Sequence, residues 1–118
     1  MTKIKVVQNT GWTHHQGTDR LITVTARRAD GTLMNLVGVS ALYEQGSNAR
    51  GPAALRLIDA DFDWSLRAES KVRLKISDTH SMQLTPGRNY ERCILTDASG
   101  NQGMLWEGYG DVLPGFTA

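Results

Sequence analysis

Three carboxylates alternate in Asp59-Ala60-Asp61-Phe62-Asp63, and carboxylates at that spacing can converge on a hard cation such as calcium. The EF-hand pattern breaks at once, because its sixth position is Trp64 where Gly is required and its twelfth is Ser70 where Glu is required. On a strand the same spacing puts the aspartates on the solvent side and turns Phe62 and Trp64 toward a core. His14 and His15 are adjacent, as zinc or copper ligands can be, but no second half of a spaced zinc motif accompanies them. His80 with Ser77, Asp78 and Ser81 supplies the residue types of a hydrolytic triad within one short turn, whereas a triad is defined by geometry between separate elements. Cys93 lies on an alternating segment with Leu95 on its face, which reads as a small buried hydrophobe and not a nucleophile. Gly100-Asn101-Gln102-Gly103 reads as a hairpin turn, and no phosphate-cradling loop or dinucleotide fingerprint is present. No catalytic residue, metal site or cofactor is expected, and the chain does not read as an enzyme.

The elements that would position these residues are strands. Period-two alternation recurs, while apolar stripes at i, i+3, i+4 longer than about ten residues do not occur. Residues 20–27 are rich in β-branched side chains, with Ile22, Val24 and Ala26 on one face, and end at the turn-forming Asp30-Gly31. A return strand is expected over 33–36. Residues 39–44 alternate weakly and run into the long loop Gln45-Gly46-Ser47-Asn48-Ala49-Arg50-Gly51-Pro52. Short strands are expected over 54–58 and 61–67. The most regular is 71–76, with Val72, Leu74 and Ile76 inward and Lys71, Arg73 and Lys75 outward. A helical turn fits 77–82, a strand 89–96, a hairpin loop 97–101, and strands 102–107 and 109–113. The pattern gives an all-β, antiparallel sandwich of seven or eight short strands, one domain over 1–118 with a short N-terminal arm at about 1–16.

Composition sets outer limits. Thirteen basic residues against twelve acidic ones leave a net charge of +1, without the positive field that would draw nucleic acid or acidic membranes. No run approaches the roughly 18 apolar residues of a membrane span, and residues 1–9 are too polar for a signal-peptide core. With a single cysteine no internal disulfide can form, so the expectation is a cytosolically made domain held by packing alone.

The segments Val72-Arg73-Leu74-Lys75-Ile76-Ser77, Leu84-Thr85-Pro86-Gly87 leading to Tyr90, Leu95-Thr96-Asp97-Ala98-Ser99-Gly100 and Trp106-Glu107-Gly108 before Val112 form a recognisable layout. Gly17 to Val24, Asp30-Gly31 and Asn35-Leu36-Val37-Gly38 extend it over most of the chain. This layout resembles small immunoglobulin-like β-sandwich virion proteins of tailed bacteriophages, including the N-terminal domain of baseplate upper proteins. Tyr90 stands three residues before Cys93, where antibody-type domains have two. The resemblance implies a structural virion component, as adaptor, baseplate piece or capsid decoration, made in the host cytoplasm and located in the virion. Its partners would be capsid, neck or tail subunits, with the chain itself a homo-oligomer or symmetric array. Partner contacts are expected from Trp12, His14 and His15 in the arm and Asn48 and Arg50 in the long loop. The alternative is a small ligand-binding module that takes carbohydrate on Trp12, Trp106 and Tyr109, or calcium on the aspartate row.

Overall fold

The computed structural model describes residues 3–115. Its strands are β1 (Val7–Gln8), β2 (Trp12–His15), β3 (Arg20–Thr25), β4 (Ser40–Gly46), β5 (Leu55–Leu57), β6 (Phe62–Asp63), β7 (Lys71–Ile76), β8 (Gly87–Thr96) and β9 (Gln102–Leu113). A one-turn helix, α1 (Asp78–Ser81), separates β7 from β8, and the Ser77 hydroxyl caps it by accepting from His80 N at 3.1 Å. The larger sheet runs β1-β9-β8-β4-β5 with β2 also on β9, and the smaller runs β3-β7-β6. A sheet built from the last two strands, the fourth and the fifth, facing one built from the third, seventh and sixth, is the arrangement of an immunoglobulin-like sandwich.

The alternation read in the sequence packs as expected where it is regular. Ile22, Val24 and Ala26 meet Val72, Leu74 and Ile76 on the inner face of the smaller sheet. Tyr43, Cys93, Leu95 and Trp106 line the facing sheet, and the Tyr43 and Trp106 rings lie 6.1 Å apart.

The structure departs from the sequence reading in four places. The arm is not free: residues 7–8 and 12–15 are strands lying parallel to β9, from Val7 opposite Trp106 to His15 opposite Leu113, so the larger sheet is mixed. Gly108 and Gly110 permit this, since a Cβ at either would strike the Asn9 backbone or the Trp12 ring. Beyond Asp30-Gly31 the return strand shrinks to a bridge, Arg27 to Leu33, because the chain turns again at Asn35, whose side chain accepts from Val37 N at 3.0 Å, and at Gly38 (φ 74°). Residues 61–67 keep only two strand positions. Asp61 accepts from Ile58 N (2.8 Å) and Asp63 from Ser65 N (2.9 Å), local bonds that compete with a ladder. Finally, residues 102–113 form one strand, its register against β8 shifted between Cys93 and Ile94, where Leu105 is the extra residue.

Candidate protein-binding face

A buried ion pair fixes how the two sheets meet. Arg20, at the start of β3, sends both guanidinium nitrogens to Glu91 on β8, each 2.9 Å from a carboxylate oxygen. Tyr43 of β4 donates its hydroxyl to the same carboxylate at 2.5 Å, and Asn9, between β1 and β2, donates Nδ2 at 2.7 Å. Glu91 is 0% exposed, and the Arg20 side chain is 12% exposed under the Trp12 ring, 4.0 Å from its centroid. One carboxylate thus joins both sheets, the central strand β4 and the N-terminal segment. Burial first, then the Glu91 charge, hold the Tyr43 hydroxyl well above its ordinary range, so it stays a proton donor. Both the acid and the base of this constellation, Tyr43 and Glu91, are 0% exposed.

The opposite, outward side of the same sheet is a broad mixed surface. Residues of outward parity on β4, β8 and β9 are Leu42 and Glu44, then Arg88, Tyr90, Arg92 and Ile94, then Met104, Glu107, Tyr109 and Asp111. The Tyr90 and Tyr109 rings pair at 5.1 Å in the middle, Arg88 stacks over Tyr109 at 4.3 Å, and Tyr90 donates to Glu107 at 2.6 Å. Partial burial and then the Glu107 bond raise the Tyr90 hydroxyl to about 12. Arg92 reaches Glu44 at 2.8 Å, and Arg56 on β5 approaches the same carboxylate at 3.5 Å. A concavity of about 400 Å³ opens beside Tyr109, lined by Thr10, Gly11, Arg88 and Asp111. Paired tyrosines and arginines with apolar neighbours and pre-formed ion pairs are the composition of a protein-binding patch.

The sequence-predicted contact residues fall in different places. Trp12 is half-buried, its ring between the Arg20 guanidinium and Gly110. His14 is 2% exposed, with Nε2 donating to Thr18 O at 2.7 Å, and so points away from any partner; His15, of opposite parity, is exposed. Asn48 and Arg50 are exposed on the β4–β5 loop, where Asn48 Oδ1 holds the turn by accepting from Arg50 N (3.0 Å) and Gly51 N (2.5 Å). That loop borders the outward face: Asn48 lines a small recess of about 30 Å³ with Glu44, Tyr90 and Arg92. Trp106 is 0% exposed, so Trp12, Trp106 and Tyr109 form no common platform for a sugar. The aspartate row is spent separately, with Asp59 accepting from Ala41 N (3.0 Å) while Asp61 and Asp63 cap their own turns. No group of three metal-ligand side chains occurs among the described residues. Cys93 is buried, which pushes its thiol up.

The residues missed in the sequence had a signal. Glu91 has the inward parity of Cys93 and Leu95, and Arg20 that of Ile22 and Val24, so two opposite charges point into one core. Tyr90 and Tyr109 have the outward parity of their strands and sit directly opposite each other.

No protein-family model matches the chain, and no curated protein matches it. Among solved structures it is similar to the V domain of amphioxus IgVJ-C2, at 14% identity over 86% of this chain and 99% of that one, with a TM-score of 0.35. It is also similar to the N-terminal four immunoglobulin domains of Dscam1 isoform 4.44, at 6% identity over 99% of this chain and 27% of that one, with a TM-score of 0.34. At those scores neither likeness bears on function, and the strand order carries the assignment: the chain is an immunoglobulin-like β-sandwich.

Proposed function

We propose that the chain is a non-catalytic structural module of a tailed-phage virion, attached to neighbouring subunits through the outward face of its larger sheet. The Tyr90–Tyr109 pair, framed by Arg88, Arg92 and Glu107, carries the binding half of this reading. Tyrosine and arginine concentrate interface energy because they bury large rigid surfaces and keep a polar end satisfied. The face is also preorganised, since Arg92–Glu44 and Tyr90–Glu107 are already bonded before any partner arrives. The virion half rests on the resemblance of the sequence layout to small phage sandwich proteins, and repeated copies on a particle would multiply a modest contact per subunit.

The test is localisation with light scattering. Antibody labelling of intact particles at capsid, neck or tail, together with a stoichiometric oligomer or complex in solution, is the expected result. A chain absent from purified particles, and monomeric alone, would overturn the virion assignment. Tyr90→Ala with Tyr109→Ala should abolish incorporation; because it also removes the ring pair and the Glu107 bond it should lower the melting temperature, and a native circular-dichroism spectrum at the assay temperature shows that the fold survives. Normal incorporation of this variant would move the contact off this face.

A further inference from the structure

We infer a second binding site beyond that face: the open edge of β3, which accepts an extended, acidic segment of a partner protein as an added strand of the smaller sheet. Residues 3–5 begin to cover this edge, with Lys5 N donating to Arg27 O and Ala29 N to Lys3 O, and Ile4 bridges Arg28. The chain then leaves for β9 at Val7. Below Arg27 the edge is vacated.

The register says which backbone groups are left. Ala26 N bonds Ser70 O at 2.7 Å, and β3 pairs with β7 from Arg20–Ile76 to Thr25–Lys71. Alternation in an antiparallel ladder therefore turns the N–H and C=O groups of Ile22 and Val24 toward β7, and those of Leu21, Thr23 and Thr25 to the free edge. Other open edges are short or broken: β5 has three residues, β6 two, and β1 and β2 are interrupted at Gly11. β3 offers six residues, without a proline, and its positions 21–25 hold no charge, so the usual devices that blunt an edge are missing.

Beside this edge lies a groove of about 350 Å³ lined by Lys5, Val7, Thr23, Val24, Thr25 and Arg27. Its floor is apolar at Val7 and Val24. Its two cations meet no carboxylate among the described residues, since Arg27 donates only to Gly31 O at 3.0 Å. A second copy of β3 pairing antiparallel about Thr23 would set each Arg27 opposite an Asp19 that Lys75 and Asp78 N already engage, and would bring no free carboxylate to Lys5 and Arg27, so an acidic strand matches the edge better than a copy of itself. An arriving strand with alternating valine or threonine and glutamate satisfies the backbone, the floor and the cations together.

The probe is a ten-residue peptide alternating valine and glutamate, with an equivalent valine–lysine peptide as control, titrated into the full chain and followed by amide NMR and hydrogen exchange. The acidic peptide should slow exchange of the Leu21, Thr23 and Thr25 amides at least tenfold, and the basic peptide should not. Thr23→Pro removes an N–H that the β3–β7 ladder does not use, and should weaken binding tenfold or more at an unchanged fold. Lys5→Glu with Arg27→Glu, the second variant should Thr23→Pro fail to fold, should lose the acidic peptide and gain the basic one. Protection of these amides without peptide, protection rising with protein concentration alone, or equal response to both peptides would overturn the proposal. Tyr90→Ala with Tyr109→Ala should leave peptide binding unchanged, so loss of the outward face and loss of the edge are read separately.

Discussion

Replacing Glu91 by Gln keeps the shape of the side chain and deletes the charge that Arg20, Tyr43 and Asn9 all address. Removing one partner of a buried pair costs about 3–5 kcal/mol, because the other is left desolvated without compensation. Two features of this site argue for the lower end. Arg20 is 12% exposed and can lean outward, and it keeps its stacking on Trp12. The amide oxygen of the substituted side chain can still accept from Tyr43 or Asn9. At roughly 2.1 cal/mol/K of unfolding entropy per residue, a chain of 118 residues turns ~3 kcal/mol into a fall in Tm of about 12 °C. Circular-dichroism melts of the wild type, Glu91→Gln, Arg20→Met, and the double variant Arg20→Met with Glu91→Leu supply the comparison. Well-packed apolar replacements of a buried pair approach neutrality, so the double variant should melt above either single one. A Tm for Glu91→Gln within about 3 °C of wild type, or strictly additive losses, would refute the view that this carboxylate ties the sheets together.

The alkaline limit of stability should be set by buried acids: burial raises the Cys93 thiol and Tyr43 hydroxyl above their ordinary values of 9.0 and 10.0, so the folded state holds protons that the unfolded chain releases. Their contribution is full below pH 9 and falls above it; urea unfolding at stepped pH should show a decline starting near 9, and Cys93→Val should delay its onset. At the acid end, hydrogen bonds from Asp78 N to Asp19, from Thr32 to Asp30, from Ser65 to Asp63 and from Asn101 to Asp97 hold these carboxyls below 3.8, so their support is present above that pH and lost as it falls further. Gly110→Ala should push the Trp12 ring off β9 and cost ~1–3 kcal/mol, read as a red shift in tryptophan emission with a lower Tm. Native Cys93 should resist a thiol reagent until the chain is unfolded.

Strands whose alternation is strict were legible in the sequence because one periodic signal fixed both their existence and their faces. β7 is the clearest, since Val72, Leu74 and Ile76 are apolar without exception and their neighbours are cationic. The parallel strands β1 and β2 carry no such signal. Both residues of β1 are exposed and the inward positions of β2 are a tryptophan and a histidine, and what seats them is the absence of side chains at Gly108 and Gly110, on a strand far along the chain. The binding face was illegible for a different reason: outward residues are free of the burial constraint that makes a period, so Tyr90 and Tyr109 gain meaning only once register sets them opposite each other. His14 misled because adjacent histidines alternate sides on a strand, which exposes one and buries the other.

The ion pair joins the two sheets in a chain with a single cysteine, where antibody members of the fold join them with two. The inter-sheet disulfide of those domains links the strands equivalent to β3 and β8, and here Cys93 on β8 faces a core with no second thiol. Arg20 and Glu91 join the same two strands, Glu91 two residues before Cys93 on the same inward parity. A disulfide acts on the unfolded chain and needs an oxidising compartment. A bidentate ion pair needs neither, and it adds what a disulfide cannot, a directional anchor for Tyr43 and Asn9. Through Asn9 that anchor reaches the segment joining β1 to β2, which lies on β9. The same carboxylate that closes the sandwich therefore adds one side-chain hydrogen bond to the backbone ladder that seats the N-terminal strands on β9.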